Sequence, residues 1–234
     1  MNIRELQRAL DTFEMVDLSH SFYTGMPKWP AHESFSQRRT ALYEHGSYHN
    51  MLAVHEHSGT HIDAPAHFVR EGEWHKFLDE LPLSSFFGRS VKIDMRGVPK
   101  CYGVTAEDIE KWEAEHIAIE EGDVVLFDFG ITDAWERREN ERIVMDWPGL
   151  TGDAAACLRD KRVKIIGTDA IALDIFGNVG DPAHHTLLGS GILILENIAN
   201  LHKMPVEGYF MCLPLRIENG SGSPIRAVGL IPRK

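Results

Sequence analysis

The segment HEHSGTHIDAPAHF, residues 55–68, contains four histidines and one aspartate. Within it, His57, His61, Asp63 and His67 follow the spacing H-x3-H-x-D-x3-H. Imidazole nitrogens and carboxylate oxygens are ligands of zinc, manganese and related divalent ions. Three protein ligands leave a coordination position open for water, which is the arrangement of a catalytic metal site rather than a structural one. The spacing therefore predicts a catalytic metal centre.

The backbone of this segment must bring the ligands together without a continuous helix. Gly59 and Pro65 disfavour a regular helix, whereas a strand would project His61 and Asp63 to the same side. We expect a tight bend at Gly59 that brings His57 to join them. Seven of the 13 histidines lie between positions 45 and 75. Four of these do not fit the spacing and are interpreted as ordinary surface or core histidines: His45, His49, His55 and His75.

The elements around this segment predict an α/β fold, with a mixed sheet and flanking helices in a single domain over residues 1–234. Apolar spacing predicts a short amphipathic helix over residues 3–10. Compact β-branched runs predict buried strands at residues 124–127 and 163–166. Thr105 and Thr151 precede helix-like stretches, as N-caps do. The stretch 209–230 is interpreted as strands interrupted by prolines and glycines.

Composition limits the possible partners and compartments. The 234 residues carry a net charge of −11, which argues against nucleic-acid binding because phosphate recognition needs clustered Lys and Arg. The three cysteines form no CxxC pair, which favours reduced thiols and a cytoplasmic protein. No signal peptide or membrane-spanning run is recognised. We expect a small-molecule substrate, without a nucleic-acid or membrane partner.

The segment HSGTHIDAPAHF resembles the HxGTHxDxPxHF signature of the cyclase-like metal-dependent hydrolases, a superfamily that includes bacterial kynurenine formamidase and isatin hydrolase. The residues VDLSH and GMPKWP upstream, and GTD with Asp174 and HHTLL…EN downstream, are similar to further family motifs over residues 16–200. The resemblance implies a swivelling β/β/α architecture and a homo-oligomer, either a dimer or a tetramer. It also implies one or two divalent ions per subunit, zinc or manganese.

The resemblance assigns roles to individual residues. It implies that His57, His61 and Asp63 bind a first ion, and that Asp63 bridges to a second ion held by His184 and Glu196. His67 would be the catalytic histidine, and Trp29 would stack on an aromatic substrate. Glu196 also needs explanation on physical grounds, because a carboxylate within the apolar run GILILENIA is costly unless it is paired or metal-bound.

These assignments favour hydrolysis of the C–N bond of a small amide by metal-activated water, with an arylformamide such as N-formylkynurenine or a lactam such as isatin as substrate. The sequence departs from the formamidase pattern at Ala31-His32, at LFDFG and in extra residues 133–147. Three alternatives remain open from the residues themselves. They are a non-catalytic metal-binding or sensor protein, a structural protein whose histidines only form hydrogen bonds, and a cyclase or dehydratase of a polyketide-like or sugar acid.

Overall fold

The computed structural model describes residues 2–233. Thirteen strands are found in this range: β1 (Phe13–Asp17), β2 (Ser36–Ala41), β3 (His49–Ala53), β4 (His61–Asp63), β5 (Phe87–Asp94), β6 (Gly103–Val104), β7 (Val124–Asp128), β8 (Gly149–Leu150), β9 (Ile165–Thr168), β10 (Leu193–Glu196), β11 (Glu207–Met211), β12 (Gly222–Pro224) and β13 (Val228–Pro232). The α-helices of the same range are α1 (Ile3–Asp11), α2 (Ala106–Glu115), α3 (Thr132–Glu136), α4 (Asn140–Ile143), α5 (Gly152–Asp160) and α6 (Pro182–Leu188).

Nine of the strands form one mixed sheet in the order β1-β13-β11-β5-β7-β9-β10-β4-β12. The four strands β5, β7, β9 and β10 pair in parallel at its centre, and the strands on both sides pair antiparallel. Because parallel strands are covered on both faces of the sheet, both sets of side chains on β7 are buried, and its sequence is an almost uninterrupted apolar run. The mixed sheet predicted from the sequence is confirmed.

Each face of the sheet carries its own hydrophobic core, because successive side chains of a strand point to opposite faces. On β7, Val125 and Phe127 enter a cluster shared with helices α2, α5 and α6. Val124 and Leu126 of the same strand enter a second cluster with residues from the chain's N-terminal and C-terminal parts. The site strands β4 and β10 therefore belong to a sheet that is buried from both sides.

The local predictions are largely confirmed. Helix α1 covers the predicted stretch, although none of its side chains is buried. Helices α2 and α5 begin directly after Thr105 and Thr151, whose hydroxyls accept backbone N–H bonds as N-caps. The strand expected at residues 163–166 was placed too early, since β9 begins at Ile165. The backbone nitrogen of Lys164, just before the strand, donates to the carbonyl oxygen of Asp123, which directly precedes β7.

Four strands lie outside the main sheet, and two of them, β6 and β8, pair with each other in parallel. Strands β2 and β3 pair only with each other and form a hairpin that is mostly exposed. Helices α3 and α4 occupy the extra segment noted in the sequence, and they bury Trp135 and Ile143 in the core. No helix within residues 2–233 is long and apolar enough to cross a membrane.

Candidate metal centre

The bend and the strand predicted for the histidine-rich segment are both present. Gly59 has a φ of +59°, and a Cβ at this position would overlap the ring of Phe22. Glycine is the residue that adopts this left-handed conformation without steric cost. Beyond the bend, β4 directs His61 and Asp63 to one face. Antiparallel pairing with β10 places Glu196 opposite His61.

Side-chain atoms of His57, His61 and Asp63 converge at the end of this bend. Asp63 Oδ1 lies 2.6 Å from His57 Nδ1 and 3.4 Å from His61 Nε2. All three residues are buried, and each offers one ligand atom within 4.8 Å of the other two. The arrangement matches the first ligand group expected from the sequence.

A second group of buried ligands adjoins the first and shares Asp63. His184 Nε2 lies 3.8 Å from Asp63 Oδ2 and 3.2 Å from Glu196 Oε1. The other oxygen of Glu196 lies 3.4 Å from His61 Nε2. The two oxygens of Asp63 therefore face different groups, as a carboxylate that bridges two ions would. All five residues predicted as ligands are brought together.

The atoms at the centre of these groups fit a divalent cation. His61 Nε2 and Asp63 Oδ2 are fully buried, and neither has a hydrogen-bond partner among residues 2–233. Leaving such groups unpaired in the interior costs about 1–3 kcal/mol each. A cation between them would satisfy both, and the nitrogen and carboxylate donors are of the type that zinc and manganese accept. The residues present therefore fit a divalent metal.

Two ligand imidazoles are held by hydrogen bonds from their remote nitrogens. His61 Nδ1 lies 2.8 Å from the carbonyl oxygen of Gly59, and His184 Nδ1 lies 2.6 Å from Asp174 Oδ2. Such bonds fix the ring orientation and direct the other nitrogen to the metal. Asp174 was noted in the sequence only as part of a motif. Its carboxylate also accepts from the backbone nitrogens of residues 183 and 184 at the start of α6.

Ser58 and Thr60 are buried on either side of the bend at Gly59, and Thr60 connects two loops near the ligands. Its hydroxyl donates to the carbonyl oxygen of Asn197 at 2.6 Å and accepts from the backbone nitrogen of His20. It thus ties the loop after β10 to the loop after β1. No side-chain hydrogen bond of Ser58 is found within the described residues.

The carboxylates set the charge state of the buried histidines. Burial opposes a charged ring, but Asp63 and Glu196 outweigh it and raise the pKa of His61 to about 9. In His184, Asp174 and Glu196 likewise outweigh burial and raise the pKa to about 10. For Asp63, the neighbouring histidines overcome burial and lower the carboxyl pKa below its usual range. The carboxylates of the centre thus stabilise positive charge between them, and a bound metal ion would supply that charge.

His67 lies beside the ligands but belongs to neither group. Its ring stacks on that of His57 at a centroid distance of 3.9 Å and stands 6.5 Å from that of His184. Burial lowers the pKa of His67 to about 4, despite the attraction of Asp63. The imidazole is therefore neutral at pH 7 and lines the cavity in front of the ligands.

Four of the five ligands, all except Asp63, line a cavity of about 220 Å³. Its apolar wall includes Trp29, Phe68 and Ile171. Trp29 is 39% exposed and contacts Trp147 edge-to-face, with ring centroids 5.8 Å apart. Trp147 follows the extra helices α3 and α4, so the inserted segment helps to hold the indole at the cavity. A concave apolar site with a few convergent polar groups is typical of small-molecule binding.

The fold and the site together define a class: an α/β protein with a buried histidine–carboxylate centre, suited to divalent metal, beneath a small-molecule cavity. The family described as "Putative cyclase" matches residues 16–175, and the chain belongs to this family. The resemblance recognised in the sequence is confirmed.

Named relatives give the family a more specific setting. The chain is 33% identical to isatin hydrolase of Roseibium aggregatum over 202 residues, which are 79% of this chain and 75% of that protein. It is 31% identical to kynurenine formamidase of Salinibacter ruber over 218 residues, 92% of this chain and 96% of that protein. A crystal structure of an isatin hydrolase bound to the product analogue thioisatinate superimposes with a TM-score of 0.92 at 26% identity, covering 100% of both chains.

Proposed function

We propose that this chain is a metal-dependent hydrolase that cleaves the C–N bond of a small amide. The substrate class is an arylformamide, such as N-formylkynurenine, or a lactam, such as isatin. The observation that carries this proposal is the pair of buried ligand groups that share Asp63 and open into an apolar cavity. The relatives of this chain include proteins named isatin hydrolase and kynurenine formamidase.

We assign the first ion to His57, His61 and Asp63, and the second ion to Asp63, His184 and Glu196. Zinc and manganese both accept this ligand set. When bound, a divalent ion lowers the pKa of a water from about 15.7 towards 7 and polarises a carbonyl oxygen. The geometry offers two ligand groups, and we propose that two ions can be held per chain.

His67 is assigned as the general base and general acid. Because its imidazole is neutral at pH 7, it can accept a proton from the water whose oxygen attacks the carbonyl carbon. The resulting imidazolium donates that proton to the nitrogen as the C–N bond breaks. The products are then a carboxylic acid and an amine, and the imidazole returns to its neutral form; the acid ionises by releasing its proton to solvent. Asp63, which is 1% exposed, keeps a negative charge beside the transient imidazolium.

Trp29 is assigned to the binding of an aromatic ring. An aromatic pair of suitable geometry contributes about 0.5–1.5 kcal/mol, which is enough to orient a substrate. The contact with Trp147 comes from the segment that distinguishes this chain from the formamidase pattern. We therefore place the substrate preference in the Trp29 region rather than in the ligand groups.

We further propose that residues 1–234 form one catalytic domain, that the protein is cytoplasmic and that it forms a homo-oligomer. The exposed β2–β3 hairpin leads directly into the ligand segment, and an isolated two-stranded hairpin is only marginally stable in water. A second subunit that covers the hairpin would stabilise it. Size-exclusion chromatography with light scattering measures the assembly.

The proposed function is tested by combining metal content with turnover. The purified protein is stripped with a chelator, reloaded with Zn²⁺ or Mn²⁺, and assayed with isatin and N-formylkynurenine. Turnover of either compound that requires the ion, and that is lost in Asp63→Asn, is the expected result. Stoichiometric metal binding without turnover of an amide or lactam panel would instead support a metal-binding sensor.

A further inference from the structure

His57 differs from the other ligand histidines in how its remote nitrogen is held. His57 Nε2 lies 3.1 Å from the hydroxyl oxygen of Ser221. That hydroxyl lies 2.7 Å from Glu56 Oε2, and the backbone nitrogen of Ser221 donates to the same oxygen at 3.2 Å. Ser221 directly precedes β12, which pairs with β4, so residues far apart in sequence meet at one ligand.

A histidine that binds a metal is neutral and carries a proton on one nitrogen only, so with a metal ion on His57 these contacts have one consistent arrangement. A carboxylate can only accept, so the Ser221 hydroxyl donates its proton to Glu56. The hydroxyl oxygen is then an acceptor towards His57, which must carry its proton on Nε2. Nδ1 consequently presents a lone pair to Asp63 Oδ1, 2.6 Å away. Nδ1 is therefore the nitrogen left for the ion that Asp63 also binds.

Packing restricts the position of the His57 ring. A Cβ on Gly222 would lie 2.8 Å from His57 Nδ1 and 2.9 Å from Nε2, so the ring packs directly on the backbone of β12. The ring of His67 stacks on His57 as well, at 3.9 Å. With Ser221 at the edge of the ring, rotation that would exchange the two nitrogens is disfavoured.

We propose that Ser221 and Glu56 are positioning residues that hold His57 as the Nε2–H tautomer, so that Nδ1 is the atom that binds the first ion. The inference rests on the metal centre of the proposed function. It adds to that centre a carboxylate–serine–histidine relay. The relay acts through His57, and neither residue belongs to the ligand groups.

The experiment measures the affinity of the stripped protein for Zn²⁺ by competition with a chromophoric chelator. Loss of a partner that orients a ligand typically weakens metal affinity about 10- to 100-fold. We expect this loss in Ser221→Ala and a change in the same direction in Glu56→Gln. Glu80→Gln is the matched control, because the Glu80 carboxylate, like that of Glu56, accepts a backbone N–H, here from Phe77 at 2.9 Å, and lies outside both ligand groups. It should bind Zn²⁺ as the wild type does.

A second measurement remains informative if Ser221→Ala fails to fold. Long-range ¹H–¹⁵N NMR of the zinc-loaded wild-type protein, labelled at histidine, identifies the nitrogen that carries the proton. Protonated Nε2 with metal-bound Nδ1 at His57 is the expected signature. Metal-bound Nε2, or affinities unchanged in both variants, would overturn the relay alone. A wild-type chain that binds no Zn²⁺ would overturn the proposed function as well.

Discussion

Replacement of His67 by alanine separates acid–base catalysis from metal binding. His67 is absent from both ligand groups, although its ring stacks on the ligand His57. The substitution therefore removes the proposed proton carrier while it leaves the five ligands in place. We expect a protein that binds its metal but turns over an amide or lactam very slowly.

The size of the effect follows from two separate contributions. General acid–base catalysis typically contributes 10²- to 10⁴-fold to the rate, which corresponds to about 3–5 kcal/mol of activation free energy. The lost ring stacking contributes only about 0.5–1.5 kcal/mol to the free energy of unfolding. A rate loss of at least about 100-fold with little change in folding is thus the expected result.

Steady-state kinetics with isatin and N-formylkynurenine measure the rate, and elemental analysis of the same preparation measures the metal. His75→Ala is a matched control, because the ring of His75 contacts the carbonyl oxygen of Val69 and lies outside the ligand groups. The control should retain wild-type kcat and metal content. Full activity in His67→Ala would refute the acid–base assignment, and loss of metal in parallel with activity would show a ligand role instead.

Four further predictions concern the metal, the packing and the pH dependence. Removal of the metal by a chelator should lower the free energy of unfolding by about 4 kcal/mol, relative to protein in metal at 1,000 times its Kd. Urea unfolding measures this difference, and identical unfolding curves with and without metal would contradict a metal site in the folded protein. Gly222→Ala should weaken Zn²⁺ binding about 10-fold or more, because the added methyl overlaps the His57 ring, and unchanged affinity would refute that contact. Trp29→Ala should lower kcat/KM for aromatic substrates about 2- to 12-fold without changing metal content, and an equal loss with an aliphatic amide would argue against ring stacking. Burial lowers the pKa of His20 to about 4, so protonation favours the unfolded chain, and the contribution of His20 to stability should fall by about 2 kcal/mol from pH 7 to pH 5. His20→Phe, which keeps a ring against Trp135, should lose this part of the decline, and an unchanged pH dependence would contradict it.

Much of the ligand set could be predicted from the sequence because it depends on short-range geometry. The H-x3-H-x-D spacing, a glycine bend and the two-residue period of a strand determine where His57, His61 and Asp63 point. His184 and Glu196 lie on separate elements, and only the family resemblance connected them to this site. The structure shows the physical cause, which is the pairing of β4 with β10 and the packing of α6 beside them.

The residues that support the ligands could not be predicted in the same way. Ser221 reaches His57 only through the pairing of β12 with β4, over a separation of 164 positions. Asp174 reaches His184 through the loop that leads into α6. Their spacing in the sequence carries no ligand-like signal. Likewise, nothing local indicated that Trp147 would contact Trp29, since that contact depends on how the inserted helices pack on the core.

The central claim is that the buried histidine–carboxylate groups bind a divalent ion that hydrolysis requires. Its most direct test is elemental analysis of the metal-reloaded wild-type protein and of Asp63→Asn, measured together with amide and lactam turnover on the same samples. We expect one or two ions per wild-type chain, and loss of both metal and turnover in the variant. Turnover that survives complete metal removal, or an Asp63→Asn protein that retains its metal and its activity, would contradict the claim.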